Sequence, residues 1–368
     1  MSVTALNIGA GSVKALFMQG KTVKVYEMSL PPGSIRNGLV LQPESLGREI
    51  RSFFKSNKIP SGQVVCAVNS LPFSYRMLTI PGMAYADYPE AVLRTAKKEM
   101  SISLEEMYLS WQAFPAENDQ WQVLVTGITR HPVDNLIKTL AAAGISPWLV
   151  DLPHLALARL SPYKDAVIVD FENDCSNIVL ISDGVPRGMH MVPALADGAS
   201  LQDQVGQVVD KLVKMIDFYN SSHPANPVKE LSPVLVTGEL LEDDKVLDTI
   251  VSQLGRTVEA LDIKNMPSSL SARRYAVNAG ILGIPVGLPD KKSAPFRHLD
   301  LERIIKERRP KIDVFRLVKK SLAPAGIVAG MALLVTSYLS GAQLKENAGA
   351  LENDLSRLNA VLAQKQQA

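Results

Sequence analysis

From Ser321 to Leu344 the chain runs through 24 residues without a charge, bounded by Lys320 and Lys345. The centre of the run, AGIVAGMALLVTSYL, is apolar nearly all round and rich in small residues. About 20 apolar residues suffice to cross a hydrocarbon layer of ~30 Å. A buried core helix of this length without a charge would be unusual, so the run predicts one transmembrane helix at 321–343. The flanks orient it. Lys306, Arg308, Arg309, Lys311, Arg316, Lys319 and Lys320 precede the run, whereas only Lys345, Arg357 and Lys365 follow it. That asymmetry places the N-terminal side in the cytoplasm and the C-terminus outside it, in a single pass. The same basic residues could meet anionic lipid, although an orientation signal alone accounts for them.

Within the run, Gly326 and Gly330 stand four apart, a spacing of small residues that lets two membrane helices approach closely. Beyond it, Leu344, Ala348, Leu351, Leu355, Leu358 and Leu362 are spaced alternately four and three apart. This is the a/d seam of a short coiled coil at 344–368. The apolar stripe is narrow and its flanks carry both signs of charge, which favours a partner helix over a helix lying on the bilayer. A homodimer through span and coiled coil is the expectation, with membrane tethering supplying effective concentration.

Lys and Arg total 39 against 37 Asp and Glu, and aromatic residues make up 6%. Neither a basic excess nor a base-stacking surface is present, which argues against nucleic acid as a partner. The two cysteines, Cys66 and Cys175, lack metal-ligand spacing and fit a reducing compartment. His131, His154, His190, His223 and His298 are dispersed and suggest no metal site. The N-terminus, MSVTALNIGAGSVKALFMQG, has neither a basic leader nor an unbroken apolar core. The first 300 residues are therefore expected to stay in the cytoplasm.

Apolar alternation predicts strands at 3–8, 13–18 and 22–28 around a Gly-rich turn, a helix at 44–55 and a strand at 63–68. Next come a strand at 76–80, a helix at 89–100 opened by Pro89, and strands at 107–114 and 122–129. This strand–helix–strand–strand unit is followed by a helix at 132–143 ending at Gly144. A second half opens with strands at 166–170, 177–182 and 185–192, a helix at 201–219, a strand at 234–237 and a helix at 275–282. The expected divisions are 1–77 and 151–287 as two related halves and 78–150 as an insertion. A linker and basic segment at 288–320, the span at 321–343 and the coiled coil at 344–368 complete them.

Two halves that each open with strand–turn–strand suggest a duplicated α/β fold, and the turns carry a specific resemblance. Asn7-Ile8-Gly9-Ala10-Gly11-Ser12-Val13-Lys14 lies without a gap on the first phosphate loop of the actin-like ATPase superfamily, which has Asp where Asn7 stands. Asp170-Phe171-Glu172-Asn173-Asp174-Cys175-Ser176-Asn177-Ile178 lies on the second, with Glu172 in place of a glycine. Gly238-Glu239 falls where the adenosine motif has two glycines, and Asp197-Gly198 where a further Gly-Gly pair stands. The chain therefore resembles that superfamily, and in the order of its insertion it resembles the PilM type of pilus-assembly protein, related to FtsA.

The resemblance implies an actin-like, ribonuclease H-like duplicated fold with a strand–helix–strand–strand insertion. It also implies a nucleotide pocket at Asn7, Gly9, Ala10, Gly11, Ser12, Lys14, Asp170, Ser176, Gly198 and Gly238, with ATP and Mg²⁺ as its cofactors. A Gly-rich hairpin turn would offer backbone N–H groups to phosphate, but Asn7 cannot supply the charge of a Mg²⁺ ligand. Glu172 would oppose phosphate unless turned away or neutralised. An actin-like domain, one span and an extracytoplasmic helix in one chain resemble a PilM–PilN fusion, with a similar plan in the L-type protein of type II secretion. The resemblance implies an inner-membrane platform that docks PilN/PilO-like subunits. A type II secretion scaffold and a nucleotide-binding ATPase are the alternatives. Because metal and phosphate contacts supply most of the stabilisation in phosphoryl transfer, the changes at Asn7, Glu172 and Glu239 argue against turnover, and no catalytic residue is assigned.

Overall fold

The computed structural model describes residues 2–286 and Gly349, apart from 84–86, 101–105, 117–119, 196–198, 225–226, 229–231, 243, 264–265 and 267–271. Local sequence sets the elements. Apolar runs buried on both faces make the first strand, β1 (Ser2–Ile8), and its partner β2 (Ser12–Gln19). The half-exposed alternation of TVKVYEMS makes β3 (Thr22–Ser29) an edge strand. A two-rung hairpin, β4 (Ile35–Arg36) and β5 (Leu39–Val40), leads into α1 (Pro43–Ser56). Pro43 starts that helix in its first turn, where no intrahelical N–H is needed, and Leu46, Ile50, Phe53 and Phe54 form its buried face.

After β6 (Val64–Val68) come β7 (Phe73–Pro81), α2 (Tyr88–Glu99), β8 (Met107–Pro115) and β9 (Gln120–Thr129). These form an antiparallel sheet in the order β7–β9–β8. Leu78, Ile80, Val123 and Val125 pack on Val92, Ala96 and Met100, giving the unit its own core. The insertion thus has the strand–helix–strand–strand order expected from sequence, and α3 (Arg130–Ala143) leaves it to pack along α1.

Then β10 (Pro147–Asp151) pairs in parallel with β6. Residues 147–150, counted with the insertion in the sequence-based division, therefore belong to the first sheet. The helix α4 (Pro153–Ala158) opens the second half, followed by β11 (Ala166–Phe171), β12 (Cys175–Ser182) and β13 (Val185–Pro193). Ser200 and Asp203 cap α5 (Leu201–Ser222) reciprocally. The chain closes with β14 (Val234–Thr237), a 3₁₀ turn at Glu239–Glu242, α6 (Asp244–Leu254), β15 (Val258–Ala260), a 3₁₀ turn at Ala272–Tyr275 and α7 (Ala276–Val286).

The strand orders β10–β6–β1–β2–β3 and β13–β12–β11–β14–β15 describe one topology used twice: an antiparallel three-strand meander, then two parallel strands beside its first member. This is the actin-like fold. The helix α4 packs on β12 and β13 of its own half, whereas α7 ends the second half yet packs on β1, β2 and β6 of the first. The two helices also pack on each other, which joins the halves and turns both β-hairpins toward one cleft. Among the described residues no helix is long and apolar enough to cross a membrane. The span at 321–343 and its Gly326 and Gly330 lie outside the described residues. So do the linker and basic segment at 288–320 and the seam residues Leu344, Ala348, Leu351, Leu355, Leu358 and Leu362.

Candidate functional site

Equivalent rungs of the two hairpins set up the site. Asn7 stands opposite Lys14 between β1 and β2, and Asp170 opposite Asn177 between β11 and β12. Their turns, Gly9–Gly11 and Glu172–Asp174, border a cleft of about 300 Å³ that also meets Ser12, Lys14, Glu27, Asn69, Glu239 and Arg274. Gly9 closes the first turn by donating to the Ser12 carbonyl at 2.9 Å. The cleft is therefore built from the first hairpin turn facing the second.

The charged groups of the cleft are engaged with one another, whereas Asn7 Oδ1 and Asn69 Oδ1 have no partner among the described residues. Lys14 Nζ lies 2.6 Å from Glu172 Oε2 and 2.7 Å from Glu239 Oε1. Arg274 spans from Glu239 Oε1 at 3.3 Å to Glu27 Oε2 at 3.0 Å. Asn173 Nδ2 donates to Glu239 Oε2 at 2.5 Å. The Ala10 N–H, in the middle of the Gly-rich turn, donates to Asp174 Oδ2 at 2.7 Å, and Asn69 Nδ2 donates to the other oxygen at 3.4 Å. Glu172 is thus turned onto Lys14 rather than left facing the open cleft.

Burial acts to lower the pKa of Lys14, but Glu172 and Glu239 outweigh it and hold the side chain as an ammonium. Burial, and then the neighbouring Asp170, pushes the Glu172 carboxyl well above the usual carboxylate range. Asp170, wholly buried, is raised to about 6, chiefly by burial, with Asn177 and Lys14 pulling the other way. Burial is the first cause for both carboxyls, and the neighbouring acids add to it. Removing one partner of a buried pair costs roughly 3–5 kcal/mol, so Lys14 and its carboxylates hold one another in place.

The positions expected from sequence divide into three groups. Asn7, Gly9, Gly11, Ser12 and Lys14 line the cleft, and Ala10 contributes its N–H. Asp170, Ser176 and Gly238 lie buried behind it: Asp170 accepts from Asn177 Nδ2 at 3.0 Å, and the Ser176 hydroxyl has no partner among the described residues. Gly238, at φ +109°, presses against the Phe171 backbone, where a Cβ would collide. Gly198 lies outside the described residues. Sequence reasoning did not single out Glu27, Asn69, Arg274 or Asn278. Asn278 on α7 donates to the Lys14 carbonyl at 3.5 Å, and none of the four sits in a recognisable motif.

The donors a triphosphate would meet here, Lys14 Nζ and the Ala10 N–H, are bonded to the chain's own carboxylates. Phosphate oxygens would compete for an ammonium and an N–H already held by carboxylates, in a cleft where Glu27, Glu172, Asp174 and Glu239 face Lys14 and Arg274. Two like charges ~4 Å apart repel by about 4 kcal/mol at a partly screened site. Asn7 offers no charge to a divalent ion. Among the described residues no group of three or more His, Cys, Asp or Glu side chains is placed to hold a metal.

Fold and cleft define a chain of actin-like fold whose two hairpin turns face each other across a cleft lined by its own carboxylates. No protein-family profile and no curated protein matches the sequence. Among solved structures the chain is similar to one from the PilM-PilN type IV pilus biogenesis complex, at 20% identity and a TM-score of 0.62, over 76% of this chain and 97% of that one. It is also similar to the cytoplasmic domain of EpsL, an inner membrane component of the type II secretion system of Vibrio cholerae, at 12% identity and a TM-score of 0.46, over 77% and 95%. The AlfA filament bound to AMPPNP gives 13% identity and a TM-score of 0.37, over 77% and 95%. The first establishes a shared fold.

Proposed function

We propose that the chain is an inner-membrane scaffold subunit of a type IV pilus assembly machine. Its cytoplasmic actin-like domain docks PilN/PilO-like partners, and its span and coiled coil carry the connection across the membrane, with dimerisation through both. The observation that carries this is the pairing of Lys14 with Glu172 and Glu239, which commits the cleft's central cation inside the chain. A working ATPase needs that cation, and the Ala10 N–H, free for phosphate. The fold shared with a chain of the PilM-PilN complex supports the choice of machine. The charge asymmetry around 321–343 supports the orientation.

The test is truncation after Lys320 in the host cell. Full-length chain is expected in the membrane fraction with pili assembled; the truncated chain is expected in the soluble fraction, with assembly lost. Normal pili from a soluble truncated chain would contradict the scaffold role.

A further inference from the structure

The two sides of the cleft are bonded to each other. Lys14, Ala10, Glu27 and Asn69 belong to the first half. Glu172, Asp174, Glu239 and Arg274 belong to the second. Most contacts of the cleft cross between them: Lys14 to Glu172 and Glu239, Arg274 to Glu27, and both Ala10 N–H and Asn69 Nδ2 to Asp174. The bonds within the second half, Arg274 and Asn173 to Glu239, orient that carboxylate for its cross-cleft partner. Each carboxylate meets a donor that a phosphate would meet: the ammonium at the end of the first loop's motif, and an N–H in the middle of its turn.

We propose that Glu172, Asp174 and Glu239 take the place of a ligand's phosphates and latch the two halves closed in the ligand-free chain. The inference deepens the view of the cleft given above and rests on it. In a nucleotide-responsive clamp, closure is supplied by a ligand that binds the closed state better than the open one. Here the differential contacts are covalently part of the chain, so the closed state needs no ligand and ligand concentration does not regulate it. Burial strengthens the latch. Lys14 and Glu172 are each about 5% exposed at the side chain, so salt screens them less than it screens surface pairs. Constitutive closure suits a rigid platform, in which an assembly partner meets one surface rather than a mixture of two.

Amide hydrogen exchange at Ala10, resolved to the residue in the full-length chain, reads the latch directly. Without ligand, the Ala10 N–H should be protected. Neutralising the cluster with near-isosteric side chains, in the combined variant Lys14→Met, Glu172→Gln, Glu239→Gln, should speed its exchange by about tenfold to a hundredfold, the scale set by loss of charged hydrogen bonds and local opening. Equal exchange in variant and wild type would overturn the latch. Two measurements on the unmodified chain keep the test independent of variant folding. An Ala10 amide that exchanges at the rate of a free peptide, or that gains protection when Mg-ATP is added, would equally overturn it. ATP binding with no change at Ala10 would instead contradict the non-nucleotide view of the cleft and leave the latch standing.

Discussion

One buried ammonium, Lys14, faces several carboxylates, and the burial of Asp170 close to them has a consequence for pH. Asp170 is held near 6 against an ordinary 3.8, mainly by burial. Between those values the folded chain binds a proton that the unfolded chain has released. The group's contribution to stability therefore falls as pH rises from about 4 through about 6, and the full cost persists above that. Replacing Asp170 by Asn keeps an oxygen for Asn177 and removes the charge. The melting temperature of Asp170→Asn should exceed that of the wild type at pH 8, by the equivalent of roughly 3 kcal/mol, with the gap closing by pH 4. The comparison must be between variant and wild type, because His154 runs the other way. Burial beside Phe73 lowers it from 6.5 to about 4, so its contribution is lost as pH falls through that window. A gap that stays constant with pH would contradict the assignment to Asp170. At this scale the sequence made Glu172 and Glu239 visible as departures from a motif. It did not reveal that both meet Lys14, since Lys14 and Glu172 are 158 positions apart and the turns that align them are products of the fold.

Among the elements, α4 and α7 matter most because they join the halves. They cross at Gly280, where an added Cβ would run into the backbone of Ala156. The Arg159 guanidinium fastens the same junction, donating to Asp151 and, at 3.0 Å, to the Gly280 carbonyl. Gly280→Ala should therefore lower the denaturant midpoint, by the equivalent of about 1–3 kcal/mol. Gly206→Ala on α5, where an added Cβ meets nothing within 4 Å, should raise it by roughly 0.5–1 kcal/mol. The same sign for both would contradict the close crossing. Strands and helices with a clear period were legible in the sequence, from 3–8 through 201–219. The junction was not. Every residue of PHLALA in α4 is buried, so no amphipathic period marks it, and β10 is only five residues long. The helix α6 did carry a signal, with Val246, Ile250 and Leu254 four apart, but it lies beyond the strand–turn–strand pattern used to recognise the second half.

Across the molecule, duplication was legible because each half repeats an antiparallel meander with a motif at its turn, and the insertion because its elements alternate in a distinctive order. Closure of the cleft was not, because it depends on side chains meeting across two sheets. The predicted tether lies beyond the actin-like domain, and its support is the uncharged run from Ser321 to Leu344 with its basic flank. The central claim is that the chain's own carboxylates fill the role of phosphate, and titration calorimetry of the full-length chain with Mg-ATP tests it most directly. The account predicts no binding heat up to millimolar nucleotide. Saturable micromolar binding to one site, abolished in Lys14→Met, would contradict it.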